Sequence, residues 1–141
     1  MRELALDLPF GELAALQWGE ESSPPLLALH GWLDNAAGFS GIAPILAQGF
    51  RLIALDLPGH GRSAHLPQGA ARYHVPDYAD HVLDAADALQ LERFDLLGHS
   101  LGAGVASLVA AAAPTRVRKL ALLEGLGPLE RLADACRLRN A

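Results

Sequence analysis

Ser100, in Gly98-His99-Ser100-Leu101-Gly102, is the residue of this chain best placed for covalent chemistry. A serine hydroxyl is a weak nucleophile until a turn exposes it and a base takes its proton. The run Phe94-Asp95-Leu96-Leu97 reads as a buried strand, and the small-residue stretch from Leu101 to Ala113, stopped by Pro114, reads as a helix. Ser100 therefore falls on a sharp strand-to-helix turn. Such a turn forces unusual backbone angles on the serine and leaves no room for side chains two residues to either side, and Gly98 and Gly102 meet that demand. The start of the helix lies beneath the hydroxyl, where its dipole favours developing negative charge. The chemistry this predicts is attack on an acyl carbon. The bland alternative, a structural turn with an incidental serine, does not account for strand, glycines and helix together.

An acyl transfer also needs donors for the oxyanion. One is the N–H following the nucleophile, that of Leu101; the other comes from an earlier loop, here His30-Gly31-Trp32-Leu33-Asp34-Asn35, where the Trp32 backbone N–H is the candidate. A core-capping role for the Trp32 indole competes with this. His30 reads as a hydrogen-bonded turn histidine rather than a base, and His99 is expected to point away from Ser100. Glu124 closes a strand on the same edge, as triad acid, substrate contact or loop clamp. Asp56-Leu57-Pro58-Gly59-His60-Gly61-Arg62-Ser63 reads as a turn in which Asp56 caps backbone amides. His60 and His65 lack a third ligand at a sensible spacing, so no metal is expected.

The elements that must position these residues follow from the pattern. Residues 3–18 suggest a hairpin of two strands around Pro9-Phe10-Gly11. The runs Leu26 to Leu29, Phe50 to Leu55 and Phe94 to Leu97 read as strands of a parallel sheet, buried-type apolar runs, and Lys119 to Leu123 as a further strand. Between them, residues 35–46 fit a short irregular helix broken by Gly41 and Pro44. Asp77 is the expected N-cap of a helix carrying Tyr78, Val82, Ala85, Ala86 and Leu89 on its inner face. Asp80, Asp84 and Asp87 then form a solvated outer stripe. Alternating strands and helices imply right-handed crossovers, with ligands at the C-terminal edge of the strands. The expected division is a βαβ core at residues 26–124 and the start of a cap helix at residues 128–140.

The 141 residues suggest one domain, with 51% hydrophobic and only 19% charged residues. A net charge of −5 argues against nucleic acid, since Arg116, Arg118 and Lys119 read as a solvated turn. The one cysteine, Cys136, excludes an internal disulfide and reads as inert. Acids in Met1-Arg2-Glu3-Leu4-Ala5-Leu6-Asp7 break any signal-like run, and the stretch from Leu101 to Ala113 is too short to span a bilayer; a cytoplasmic location is expected. Neither a P-loop nor a complete Gly-x-Gly-x-x-Gly is present, and no cofactor is expected.

Taken together, these segments resemble the α/β-hydrolase superfamily, and within it most look like the serine hydrolase-like proteins. The loop from His30 to Asn35, the turn from Asp56 to Ser63, the elbow from Gly98 to Gly102, and Glu124-Gly125-Leu126-Gly127-Pro128 carry the likeness. The resemblance implies an α/β fold with a mostly parallel sheet, truncated after about the sixth strand. It implies nucleophile Ser100, donors Trp32 and Leu101, and hydrolysis of an ester, thioester, lactone or similar acyl bond in a small-molecule substrate. Haloperoxidase-type chemistry shares such a site; dehalogenase and epoxide-hydrolase chemistry would need a carboxylate at the elbow. The departure is in the base: the family order is serine, acid, histidine, whereas all 6 histidines precede Ser100 and only Glu124, Glu130 and Asp134 follow as acids. The reading is the N-terminal part of a serine acyl hydrolase. The alternative is a non-catalytic hydrolase-like binding module, and the Lys119 to Leu123 strand is expected to leave an apolar edge open to self-association.

Overall fold

The computed structural model describes residues 1–67 and 73–125. The expected cap-helix start at residues 128–140, Glu130, Asp134 and Cys136 lie outside them. Six strands form one sheet in the order β1-β2-β4-β3-β5-β6. They are β1 (Arg2–Leu8), β2 (Gly11–Trp18), β3 (Pro25–Leu29), β4 (Arg51–Leu55), β5 (Phe94–His99) and β6 (Val117–Leu123). β1 and β2 make the N-terminal hairpin, which joins β4 antiparallel. From β4 to β6 every pairing is parallel. The sheet is thus α/β and mostly parallel, as the strand–helix alternation requires.

Alternate residues of the central strands serve opposite faces of the sheet. Leu27, Leu29, Ile53, Leu55 and Leu96 pack under α2 (Val75–Ala88) and α3 (Leu101–Ala112). Leu26, Ala28, Leu52, Ala54 and Leu97 pack with Phe39 of a 3₁₀ helix (Ala36–Gly41) and Ala43 of α1 (Ala43–Leu46). The split of the 35–46 segment into two short helices follows from Pro44, which sits in the first turn of α1. Burial of each such leucine, isoleucine or phenylalanine contributes about 1.5–3 kcal/mol, so both layers are needed to hold the central strands.

Boundaries differ from the sequence reading at β6 and at α2. β6 begins at Val117, so Arg118 and Lys119 lie in the strand rather than in a solvated turn, and Arg118 pairs with the buried Asp95 carboxylate at 3.0 Å. α2 begins at Val75 with His74 as N-cap, and Asp77 sits at the third helical position, accepting from the His74 backbone N–H at 3.3 Å. Pro76 fits the first turn because the amide it lacks would have had no intrahelical partner.

The register brings the chemistry to one edge. Leu29 pairs with both Leu55 and Gly98, and His99 with Leu123. His30, Asp56, Ser100 and Glu124 therefore follow the ends of four neighbouring strands. Among the described residues, no helix is long and apolar enough to cross a membrane.

Candidate active site

Ser100 stands between β5 and α3 with φ 52° and ψ −111°, a conformation that costs a non-glycine residue about 1–3 kcal/mol. Its neighbours leave no other path. A Cβ on Gly98 would collide with the carbonyl oxygen of Gly102 and come within 2.6 Å of the Ala103 Cα. A Cβ on Gly102 would collide with the Leu29 carbonyl oxygen and come within 2.7 Å of the His30 oxygen. The Ser100 N–H donates to the Leu123 carbonyl at 3.0 Å, tying the turn to the end of β6. The Ser100 carbonyl accepts from Ala103 and Gly104 at 3.0 and 3.3 Å, so the serine occupies the N-cap of α3.

The loop after β3 is fastened to the same helix start, for the Gly102 N–H donates to the His30 carbonyl at 3.1 Å. Gly31 lies against the elbow: a Cβ there would be 3.4 Å from the Ser100 Cβ. Leu33 takes a left-handed φ of 58° and is exposed, as is Trp32. Among the described residues, neither the Trp32 nor the Leu101 backbone N–H has a hydrogen-bond acceptor. At a helix start and in a tight loop, uncommitted amides of this kind are available to an anion. The indole of Trp32 does not cap the core; it is 61% exposed and meets the His60 ring edge-on at 5.6 Å.

His30 is fully buried and committed to the main chain. Its Nε2 accepts from the Leu57 N–H at 3.0 Å, so that nitrogen carries no proton; Nδ1 then carries the proton and donates to the Gly31 carbonyl at 2.7 Å. Burial pushes the pKa of His30 below its ordinary value of 6.5. A buried neutral histidine refuses the proton that the unfolded chain accepts, so its contribution to stability is present above about pH 6.5 and declines as the pH falls. We expect the His30 ring to hold the neutral Nδ1–H form to lower pH than an exposed imidazole does by ¹⁵N NMR, and the urea midpoint of the fold to fall on acidification below about pH 6.5. Titration of His30 at its ordinary value would contradict this.

The His99 ring lies over Gly31, with Nδ1 3.1 Å from the point a Gly31 Cβ would occupy. Its Nε2 turns to Glu124 Oε2 at 3.4 Å, beyond the range of a good hydrogen bond. Glu124 has a left-handed φ of 49° and a side chain 85% exposed. Register thus brings Glu124 to the edge near the elbow, touching His99.

Asp56 is a clamp. It is buried, with Oδ1 accepting from Ala36 N–H at 2.6 Å and Oδ2 from Arg62 N–H at 2.8 Å. Its carbonyl accepts from the Ser63 hydroxyl at 2.6 Å, and that hydroxyl in turn accepts from Ala14 N–H at 2.8 Å. Gly61, at φ 54°, leaves its Cβ space to the Asp56 carboxylate. His60 does not pair with His65; it joins a run of rings with His30 and Trp32. The sequence reading missed that run, although Gly59 and Gly61 flanking a histidine were a signal that the turn presents its ring in a set direction. Among the described residues no group of three or more His, Cys, Asp or Glu could hold a metal.

Comparison with known proteins fits this arrangement. The profile for the alpha/beta hydrolase fold matches residues 24–135. A serine hydrolase-like protein of Dictyostelium discoideum is 50% identical over 125 residues, which are 87% of this chain and 34% of that protein. A human serine hydrolase-like protein is 41% identical over 122 residues, 86% of this chain and 60% of its own length. The crystal structure of a hypothetical protein from Pseudomonas aeruginosa PAO1 superimposes with a TM-score of 0.88 at 50% identity, over 99% of this chain and 48% of that one. A thioesterase domain from the curacin biosynthetic pathway gives 0.83 at 31% identity, over 99% of this chain and 52% of that one. The chain thus spans about a third of the first of these relatives and half of the solved structures. With its strand order, elbow and matched span all of one kind, the chain belongs to the α/β-hydrolase family.

Proposed function

We propose that Ser100 is the nucleophile of a cofactor-free serine acyl hydrolase that acts in the cytoplasm on a small-molecule ester or thioester. The observation that carries this reading is the strained turn at Ser100, set on the start of α3 beside two uncommitted backbone amides. Strain kept at one polar side chain is commonest where function requires it. In the reading, the Ser100 Oγ attacks the acyl carbon and gives its proton to a base. The Trp32 and Leu101 N–H groups hold the oxyanion of the tetrahedral intermediate, and collapse expels the protonated leaving group. Water then attacks the acyl-serine by the same steps. His30 is committed to the main chain and every histidine precedes Ser100, so the reading takes the base from outside this sequence and leaves Glu124 as candidate acid or substrate contact. The thioesterase domain at 31% identity, and a membrane phospholipase A at 34% identity over 96% of this chain, 45% of its own length and a TM-score of 0.85, support an acyl bond as the target class.

A fluorophosphonate probe tests this directly. Because the reading takes the base from outside this sequence, slow labelling of the folded chain that rises with pH is expected, carried by the two amide donors alone, and its fall to background in Ser100→Ala. A folded chain that takes no label even at raised pH would overturn the assignment and favour a hydrolase-like binding module, which the two uncommitted amides would also serve.

A second proposal rests on β6. It pairs only with β5 among the described residues, and Leu120, Leu122 and Leu123 are 40–46% exposed. An unpaired apolar strand is a template for another chain. Concentration-dependent association is expected in analytical ultracentrifugation, reduced by Leu122→Lys; a monomer at all concentrations would refute it.

A further inference from the structure

The Trp32 N–H and the Gly31 carbonyl belong to one peptide plane, so whatever holds the carbonyl aims the N–H. Gly31 has no side chain to restrict its own torsions, which leaves the plane to the partners of that carbonyl. There are two. The Asp34 N–H donates to it at 3.3 Å and closes a turn inside the loop, a turn that travels with the loop when it moves. The His30 Nδ1–H donates at 2.7 Å, and the other end of the same ring is anchored outside the loop, where Nε2 accepts from the Leu57 N–H at 3.0 Å. The imidazole is thus the strut between the Trp32 peptide and the end of β4. Its two ends need different chemistry, a proton at Nδ1 and a free lone pair at Nε2.

Only the neutral ring meets both needs. A second proton has to go to Nε2, where it faces the Leu57 N–H with no acceptor between the two donors. A charged ring left in that state is fully buried with an unpaired N–H, and it escapes the penalty only by swinging away and letting go of both partners. The charged and titratable groups facing the ring come from every side. Asp56, held by Ala36 and Arg62 N–H groups, and Asp34, held by Asn35 N–H, favour the proton; His60, ring to ring at 5.1 Å, opposes it, and burial outweighs the carboxylates. Across Gly31 lies the His99 ring, and Tyr78 of α2 turns its hydroxyl to the Pro58 carbonyl. We propose that His30 is a proton-sensitive latch on the Trp32 amide: the neutral ring fixes the Gly31–Trp32 peptide, and protonation releases it from Leu57 and frees that peptide. The significance for catalysis rests on the reading of the Trp32 N–H as an oxyanion donor, which acid then withdraws. The latching itself does not.

The test uses the full chain labelled with ¹⁵N-tryptophan and ring-¹⁵N-histidine, in which Trp18 and Trp32 give two backbone amide signals, assigned with Trp18→Phe. Trp18 ends β2, paired with Leu52, and reports on the fold. On acidification the Trp32 amide is expected to shift and lose heteronuclear NOE with the same midpoint as the His30 ring, while Trp18 stays in place. His30→Gln keeps an acceptor for Leu57 where Nε2 was and removes both the donor to Gly31 and the titration. Its Trp32 NOE should be low at neutral pH already and no longer respond to acid. His60→Gln lifts the opposition of the neighbouring ring, and should raise the His30 and Trp32 midpoints together. If His30→Gln disturbs Trp18 as well, the paired midpoints of the natural chain and of His60→Gln decide alone. Fluorophosphonate labelling, read at raised pH, should slow about 10-fold or more in His30→Gln, short of the ~10²–10³ for complete loss of a donor. A Trp32 amide that stays ordered while the His30 ring titrates overturns the proposal. So does an acid response that persists in His30→Gln, or a Trp18 signal lost at the same midpoint, which is unfolding of the whole chain. A natural chain that takes no label counts against Ser100, since the amide reads the latch without it.

Discussion

Gly102→Ala should destabilise the fold by about 2–3 kcal/mol, and Gly104→Ala, two residues on, should stabilise it. The added methyl at 102 meets the Leu29 carbonyl and the His30 oxygen, main-chain atoms anchored by β3 and unable to move aside as a side chain could. Overpacking of this sort costs about 1–3 kcal/mol. Backing away also weakens the Gly102 N–H to His30 bond, another ~0.5–1.5 kcal/mol. The better helix propensity of alanine offsets up to about 1 kcal/mol. At Gly104 the nearest atom to a new Cβ is Val75 Cγ1 at 3.8 Å, so the propensity gain is unopposed. Urea denaturation of the two variants gives both signs in one experiment. Stabilisation by both would mean that α3 does not lie as close to β3 at its start as this packing requires.

Asp56→Ala should cost more, about 3–5 kcal/mol. It removes two charge-assisted hydrogen bonds of ~1.5–3 kcal/mol each and strands the buried Ala36 N–H. The carboxylate spans the start of the 3₁₀ helix and the turn bearing His60, so both ends of the candidate site loosen together. Asp56→Asn retains one acceptor but turns an NH₂ toward the other backbone donor, and should recover no more than half of the loss. The check is the urea midpoint with the m-value; a cost under 1 kcal/mol for Asp56→Ala would show that water replaces the carboxylate without penalty.

The strands were legible because a parallel sheet buries both faces and writes itself as apolar runs closed by glycine or proline, as from Leu26 to Gly31 and Phe94 to Gly98. The elbow was legible for a steric reason, two glycines flanking a residue that must follow a strand and open a helix. The N-cap of α2 was not: aspartate is favoured both at the cap and at the third helical position, where it bonds back to the cap amide, and only Pro76 separated the two placements. Neither was the contact between His99 and Glu124, which lie far apart in sequence and meet through the register of β5 and β6. The ring contact between His60 and Trp32 depends on left-handed angles at Gly59 and Gly61 together, a geometry that a count of metal ligands around the same histidine does not register.

Both candidate oxyanion donors belong to the main chain, and this shapes how such a site can diverge. Every amino acid except proline supplies an N–H at positions 32 and 101, so almost any substitution there changes what the pocket wall is made of and leaves the polar chemistry in place. The indole of Trp32 and the side chain of Leu33 face outward and are free to drift. The constraint falls instead on the glycines at 98 and 102, whose missing side chains keep the backbone close, whereas a side chain at 31 would press only on the His99 ring and the Ser100 Cβ. If Ser100 is the nucleophile we propose, a lineage carrying this edge would exchange one substrate for another by point mutations at the rim, provided that it never fills the two vacancies at 98 and 102.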